Sequence, residues 1–304
     1  EAEAIVGEIL GEARDAVLAD EADLDPDRRK LGDLYASFLD VERADAQGAA
    51  PIADDLAAIA AVSNASELIG LLGRLQREGG SGLVDAYVNT DDRQSDRNIV
   101  NLVQGGIGLP DESFYREDGF APIREAYEAH VARTLVLTGL GEAEAADAAA
   151  RILALETRLA AGHWDRVRSR DVIASYNLTT SAGLAELASA YDWAAWAEGL
   201  GATGDELAEV LVRQPDFLTA LSDALAEVPI ADWQAWLTYH VAIGAAPYLS
   251  SPFVDEHFAF YSQALKGVTE QRDRWKRGVG LCNGILGEAV GKLYVERTFP
   301  PEAK

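Results

Sequence analysis

The feature that most constrains this chain is the recurrence of apolar residues at helical spacing along most of its length. Alanine, the strongest helix former, supplies 53 of the 304 residues. The first amphipathic segment contains Ile5, Val6, Ile9, Leu10, Ala13 and Val17. A later helical segment begins at Ser66, a residue type favoured at helix starts, and ends at the pair Gly79-Gly80, since glycine is favoured at helix ends.

The period changes between residues 83 and 104. Residues 83–88 and 98–104 are short β-branched and aromatic runs joined by a polar loop, which is the pattern of a small hairpin or an edge ribbon. A glycine-rich segment, 104–110, follows as a turn-rich junction. We therefore expect a small β-hairpin insert at about residues 83–104.

The helical pattern resumes at Ala121 and continues to the end of the chain. Among the later predicted helices are one over residues 205–212 and a long one over residues 269–295. The sequence has neither a fixed-period repeat nor a Pro/Gly/Ser-rich linker. The prediction is one mainly α, multi-helix domain over residues 1–304, with the small β-hairpin insert.

The net charge limits the partners of the chain. There are 51 acidic and 26 basic residues, a formal net charge of −25. Binding to nucleic acid or to anionic lipid requires a basic surface, so neither partner is expected. No apolar run approaches the roughly 20 residues that span a bilayer, and the single cysteine, Cys282, has no partner for an intramolecular disulfide.

The charge is also uneven along the chain. Residues 264–304 carry eight basic and five acidic side chains, whereas the preceding residues carry 18 basic and 46 acidic ones. A mildly basic end on an acidic body has two interpretations, an interface with another acidic part or a solvated helix face.

The sequence lacks the common catalytic motifs. No HExxH pair of histidines, no G-x-S-x-G elbow and no phosphate-binding loop occurs. The acidic residues Asp91, Asp92 and Asp96 lack the spacing of a calcium loop, so we interpret them as a solvated turn. Gly284, Gly287 and Gly291 form a stripe that favours the close approach of another helix. No catalytic or metal-ligating residue is predicted, and no substrate-binding residue is assigned.

Several segments, in the correct order, resemble the neprilysin and endothelin-converting-enzyme family of zinc metallopeptidases. The most specific is Gln104-Gly105-Gly106-Ile107-Gly108-Leu109-Pro110, followed by Phe114-Tyr115. The others are Gly32-Asp33-Leu34-Tyr35, Phe38-Leu39-Asp40, Gly48, Pro51, Glu156-Thr157, Leu159-Ala160, Tyr176-Asn177, Asp192-Trp193, Gln214-Pro215, Asp232-Trp233, Phe258-Ala259-Phe260-Tyr261, Arg274-Trp275-Lys276-Arg277, residues 286–295 and residues 299–304.

The resemblance implies that residues 1–304 form the helical cap lobe that gates substrate access. In that family a second, C-terminal lobe carries the zinc, and small peptides are cleaved in an enclosed chamber between the lobes. The partners expected are therefore the C-terminal zinc lobe of the same protein and a peptide substrate. Zinc is the cofactor of the complete protein, with none bound by this chain. The catalytic zinc lobe is expected to be absent from this chain.

The basic residues near the end of the chain are the candidates for contact with the other lobe. They are Arg274, Lys276, Arg277 and Lys292. The alternative function is a stand-alone helical binding protein derived from the cap lobe. The Ala- and Arg-rich, Lys-poor composition suggests a bacterial protein, cytoplasmic or exported without disulfides.

Overall fold

The computed structural model describes residues 1–80, 82–203, 205–299 and 302. The chain divides into two compact units, which we name by their place in the sequence. The terminal unit contains residues 1–48 and 267–304, and the central unit contains residues 49–266.

The prediction of a mainly α fold with a small β insert is confirmed. The strands are β1 (Val84–Thr90), β2 (Asn98–Gln104), β3 (Asn177–Thr180) and β4 (Glu209–Val212). The helices are α1 (Ala2–Leu18), α2 (Pro26–Leu39), α3 (Val41–Gln47), α4 (Ala53–Ala61), α5 (Ala65–Arg77), α6 (Ser113–Arg116), α7 (Ala121–Leu137), α8 (Glu142–Gly162), α9 (Ser181–Leu187), α10 (Trp193–Leu200), α11 (Pro215–Glu227), α12 (Ile230–Ala245), α13 (Ser251–Phe258) and α14 (Arg274–Thr298).

The terminal unit is built from helices α1, α2, α3 and α14. Its core is formed by buried side chains of α1, α2 and α14, including Leu10, Leu31 and Cys282. Helix α2 begins at Pro26 because the Asp25 carboxylate accepts hydrogen bonds from the first free amides of the helix. The predicted long helix corresponds to α14, which is interrupted by non-helical backbone angles at Leu286.

The central unit has a larger core, to which helices and sheet both contribute. Helix α8 buries one face of Ala, Ile and Leu side chains, as its sequence pattern predicts. The largest side chains of this core include Trp196, Trp233 and Trp236, each of which is almost fully buried. These aromatic side chains fix the packing of α10 and α12.

The predicted hairpin is present, and it belongs to a four-stranded sheet with strand order β1-β2-β4-β3. Strands β1 and β2 pair antiparallel, with Val84 opposite Gln104. Strand β4 runs parallel to β2, and β3 pairs antiparallel with β4. Strand β1 is therefore an edge strand.

The helix predicted over residues 205–212 is wrong. Residues 205–207 form a single 3-10 turn, and β4 occupies the rest of that segment. Val210, Leu211 and Val212 are buried in the sheet, where pairing with β2 outweighs the helical preference of the preceding residues. Strand β3, which was not predicted, lies at the other edge of the sheet.

The interpretation of residues 91–96 as a solvated turn is wrong for Asp91, which is only 2% exposed. Its carboxylate accepts hydrogen bonds from the Arg93 and Gln94 amides and from the Tyr176 hydroxyl, and it pairs with Arg97 at 2.8 Å. The amide hydrogen bonds, together with those from Arg97 and Tyr176, lower the pKa of Asp91 to about 2. Asp91 therefore closes the hairpin as a buried anion.

Two further predictions concern the motif at the end of the chain and the absence of a membrane-spanning segment. Of the motif at residues 299–304, only Phe299 and Glu302 lie among the described residues. No described helix combines the length and the hydropathy needed to cross a membrane.

Candidate functional site

The segment from Gln104 to Pro110 is held in place by side chains from distant parts of the central unit. The Gln104 amide group donates to the Trp164 carbonyl at 2.9 Å and accepts from the Trp164 amide at 2.7 Å. The backbone amide of Gln104 donates to the Gln214 side chain at 3.0 Å. The end of β2 is therefore fixed to the segments that precede β3 and α11.

Three glycine carbonyls of this segment each accept a hydrogen bond from a ring-bearing side chain. The three bonds are His163 Nε2 to Gly105 O at 2.9 Å, Trp236 Nε1 to Gly106 O at 3.1 Å and Tyr261 Oη to Gly108 O at 3.1 Å. Gly106 also has a φ of +83°, a backbone conformation that favours glycine.

A fully buried glutamate, Glu156 of α8, lies beneath the same segment. Its carboxylate accepts hydrogen bonds from the Tyr115 and Tyr127 hydroxyls at 2.7 and 2.9 Å, and it contacts His240 Nε2 at 2.7 Å. The amide of Gly108 donates to the carboxylate at 3.2 Å. We call Glu156 and these four partners the Glu156 cluster.

The tyrosines of the Glu156 cluster are hydrogen-bond donors that stay protonated. Burial, reinforced by the charge of Glu156, raises the pKa of Tyr115 and of Tyr127 well above the usual value. The Tyr115 hydroxyl also accepts from the Leu109 amide at 2.9 Å. Because its polar groups satisfy one another, the cluster acts as a rigid support for the turn rather than as a reactive centre.

Gly108 is the point of closest approach between the turn and the Glu156 cluster. A Cβ atom at this position would lie 1.9 Å from the Tyr127 hydroxyl. Since Tyr127 is itself fully buried and bonded to Glu156, it has no room to move away. A side chain at position 108 is therefore incompatible with the cluster.

A cavity of about 520 Å³ opens beside the turn. The pKa of His163 in its wall is lowered to about 4 by burial, so this imidazole is neutral at neutral pH. The cavity is lined by residues 104–111 and by Gly82, Asp85, His163, Trp164, Arg166, Ser169, His240, Ile243 and Tyr261.

The described residues do not fit a zinc ion. No group of three His, Cys, Asp or Glu side chains with metal-binding proximity occurs among them. The histidines are used otherwise: His240 contacts Glu156, His163 donates to a carbonyl, and His130 contacts Glu256 at 2.8 Å.

The four residues predicted to contact another lobe make contacts within the terminal unit. Arg274 donates to the Phe38 carbonyl at 2.7 Å, and its guanidinium lies over the Phe38 ring. The other contacts are Lys276 with Asp273 at 2.8 Å, Lys292 with Asp27 at 2.9 Å, and the Arg277 guanidinium with the Phe38 ring at 5.9 Å. Their role in an interface stays a prediction.

The role of Glu156 was not predicted from the sequence, although it lies in a segment that carries the family resemblance. The sequence signal for its burial was its position on α8, four residues after Ile152 and three before Leu159, both of which are fully buried. A carboxylate on the buried face of a helix needs several hydrogen-bond donors. The spacing alone does not identify Tyr127 and His240 as those donors, since they come from other helices.

The match to known families defines the class of this protein. The sequence model of the family described as peptidase family M13 matches residues 1–304, so the chain belongs to that family. The matched residues correspond to the N-terminal domain of the family. This agrees with the resemblance seen in the sequence.

Two solved structures show the same fold. The Mycobacterium tuberculosis zinc metalloprotease Zmp1 in its open state has 43% sequence identity and a TM-score of 0.92, over 99% of this chain and 46% of that one. PEPO from Lactobacillus rhamnosis has 20% identity and a TM-score of 0.79, over 99% of this chain and 47% of that one. The latter supports the fold alone.

The curated relatives are longer than this chain. Human membrane metallo-endopeptidase-like 1 is 27% identical over 92% of this chain and 39% of its own length. Human neprilysin is 26% identical over 73% of this chain and 32% of its own length. The chain therefore spans less than half the length of these relatives.

Proposed function

We propose that this chain is the helical cap lobe of a zinc-dependent metalloendopeptidase that hydrolyses small peptides in an enclosed chamber. The observation that carries the proposal is the match of residues 1–304 to peptidase family M13. The 43% identity to Zmp1, named as a zinc metalloprotease, supports the reaction class.

In this proposal the zinc lobe is supplied by a C-terminal part of the same protein. The 304 residues contain no HExxH motif, and the described ones contain no metal-binding cluster. Water activation at a metal is the chemistry that the zinc lobe contributes. The cap lobe contributes the wall that limits which substrates enter, and Arg274, Lys276, Arg277 and Lys292 are the proposed contacts with the zinc lobe.

The rigid turn at residues 104–110 is the part of the central unit best suited to meet a substrate. Its backbone is fixed by side-chain donors and borders the cavity. A site held by packed and hydrogen-bonded supports loses little entropy when a ligand binds.

A stand-alone helical binding protein is the second candidate function. The absence of a metal-binding cluster among the described residues is expected for both candidates. In that case the cavity binds a ligand without cleavage. The two functions differ in chelator sensitivity, because only a zinc peptidase loses activity when the metal is removed.

The test uses the natural protein purified from its source. We expect cleavage of a ten-residue peptide, loss of that cleavage after zinc chelation, and recovery when zinc is restored. The matched substrate is a large unfolded protein that contains the same ten residues. An enclosed chamber predicts that this protein is cleaved at least tenfold more slowly. Absence of chelator-sensitive peptide cleavage contradicts the proposed function.

A further inference from the structure

The cavity beside the turn contains an acidic side chain without a basic partner. Asp85 of β1 lines the cavity, and its carboxylate accepts a hydrogen bond from the Gly82 amide. In the part of the chain that the structure describes, no basic side chain forms an ion pair with Asp85. The residue is exposed, and the partial desolvation of its carboxylate by neighbouring protein atoms raises its pKa.

The other ionisable side chains in the cavity wall contact partners or are neutral. Arg166 pairs with Asp111 at 2.6 Å, so these two residues contribute no net charge. His163 is neutral at neutral pH because burial lowers its pKa to about 4. His240 contacts Glu156 at 2.7 Å in the Glu156 cluster. Among the described residues that line the cavity, Asp85 is therefore an acidic side chain without a basic partner.

The central unit as a whole reinforces this negative charge. Residues 49–266 carry 32 acidic and 14 basic side chains. A recessed site inside a strongly acidic domain concentrates the negative potential, because the surrounding protein screens it less than water does. Such a site attracts a cationic group.

The loop that contributes Arg166 and Ser169 to the cavity wall also exposes apolar side chains. Val167, Val172 and Ile173 in this loop are between 72% and 83% exposed. The charge of Arg168 in the same loop is offset by Asp216 at 2.7 Å, and its guanidinium stacks over Trp164 at 3.7 Å. Exposed apolar side chains next to a charged recess fit a peptide better than a metal ion.

We propose that the cavity beside residues 104–111 binds the basic side chain of a peptide, with Asp85 as its counter-charge. The volume of about 520 Å³ lies within the range of small-ligand sites and accommodates a lysine or arginine side chain. The rest of the peptide lies along the apolar loop. The proposal rests on the proposed function only for the identity of the ligand as a peptide.

The test measures binding by calorimetry to the 304-residue chain. The probe is a pentapeptide with a central lysine between valines, acetylated at its N-terminus and amidated at its C-terminus. The reference is the same peptide with norleucine in place of lysine. We expect the lysine peptide to bind at least fivefold more tightly, and we expect this preference to shrink as the salt concentration rises.

Three variants assign the preference to the cavity. Asp85→Asn removes the charge and should abolish the preference, whereas Asp85→Glu keeps the charge and should retain most of it. Asp96→Asn is the matched control, because Asp96 is exposed in the loop of the same hairpin and does not line the cavity. It should leave the preference unchanged, and thermal unfolding of each variant checks that the fold is intact.

Two results overturn the proposal: equal binding of the two blocked peptides, or an undiminished preference in folded Asp85→Asn. A norleucine peptide with a free N-terminus that binds like the lysine peptide would reassign the cavity to terminal ammonium groups. The assay needs neither zinc nor cleavage. The inference can therefore fail while the natural protein still cleaves peptides, and it can succeed while peptide cleavage is absent.

Discussion

The terminal and central units are stabilised in different ways. The terminal unit buries apolar side chains between helices and keeps its ion pairs at the surface, as in the contacts of Lys292 with Asp27 and of Arg297 with Glu12. The central unit adds a sheet and buries a carboxylate, Glu156, that several helices must satisfy together. Exposed ion pairs contribute little to stability, whereas a broken buried polar cluster is costly.

The difference predicts that substitutions in the Glu156 cluster have the largest effects. Glu156→Ala leaves two tyrosine hydroxyls, His240 and an amide without their shared acceptor. We expect the free energy of unfolding to fall by about 3–5 kcal/mol, measured by urea denaturation. The control is Glu227→Ala, which breaks an exposed contact with Arg158 and should cost less than about 1 kcal/mol. Equal effects of the two substitutions would contradict the comparison.

The close approach of the turn to Tyr127 predicts the next effect. Gly108→Ala forces a methyl group against the Tyr127 hydroxyl, and we expect a loss of about 1–3 kcal/mol in the free energy of unfolding. Gly119→Ala is the control, since nothing lies within 4 Å of a Cβ there. A stable Gly108→Ala protein with unchanged unfolding would show that the turn is not held as described.

The buried His163 predicts a smaller effect, visible as a pH dependence. Its folded-state pKa of about 4 lies below the unfolded value of about 6.5, so the unfolded state binds the proton first. Stability is therefore complete above pH 6.5 and declines below it, by about 1–2 kcal/mol from this residue between pH 6.5 and 5. His163→Gln should flatten the decline in urea midpoints between pH 7.5 and 4.5. An identical pH profile for the variant argues against a buried, neutral His163.

The smallest change in the free energy of unfolding is expected in the terminal unit, and there the substitution should stabilise the protein. Gly280 lies inside α14, with nothing within 4 Å of a Cβ atom. Gly280→Ala should raise the free energy of unfolding of this chain by about 0.5–1 kcal/mol, because alanine favours the helix. Denaturant unfolding of the 304-residue chain measures it. A loss of stability would mean that this face of α14 is packed rather than open.

The two units also differ in how much of each follows from the sequence. Helices α1 and α14 were predicted because their apolar period is local. Strand β4 was missed, since its four residues follow a helix-favouring Asp-Glu-Leu-Ala run and become a strand only through pairing with β2. Local pattern therefore describes the terminal unit well and the sheet poorly.

The candidate site likewise contains features that the sequence predicts and features that it does not. The turn at residues 104–110 was found from its glycines and its family resemblance. The carboxylate that supports it, and the Asp85 charge beside it, depend on contacts between elements far apart in the chain. Asp91 is a further example, because its burial requires Tyr176, 85 positions away in the sequence. Such contacts have no signature in hydrophobic periodicity.

The most direct test of the central claim is the intact mass of the natural protein, with its zinc content measured on the same sample. A cap lobe of a zinc peptidase predicts a chain more than twice the 32.6 kDa of these 304 residues, with about one zinc per chain. A mass of 32.6 kDa without zinc would contradict the claim and identify a stand-alone binding protein.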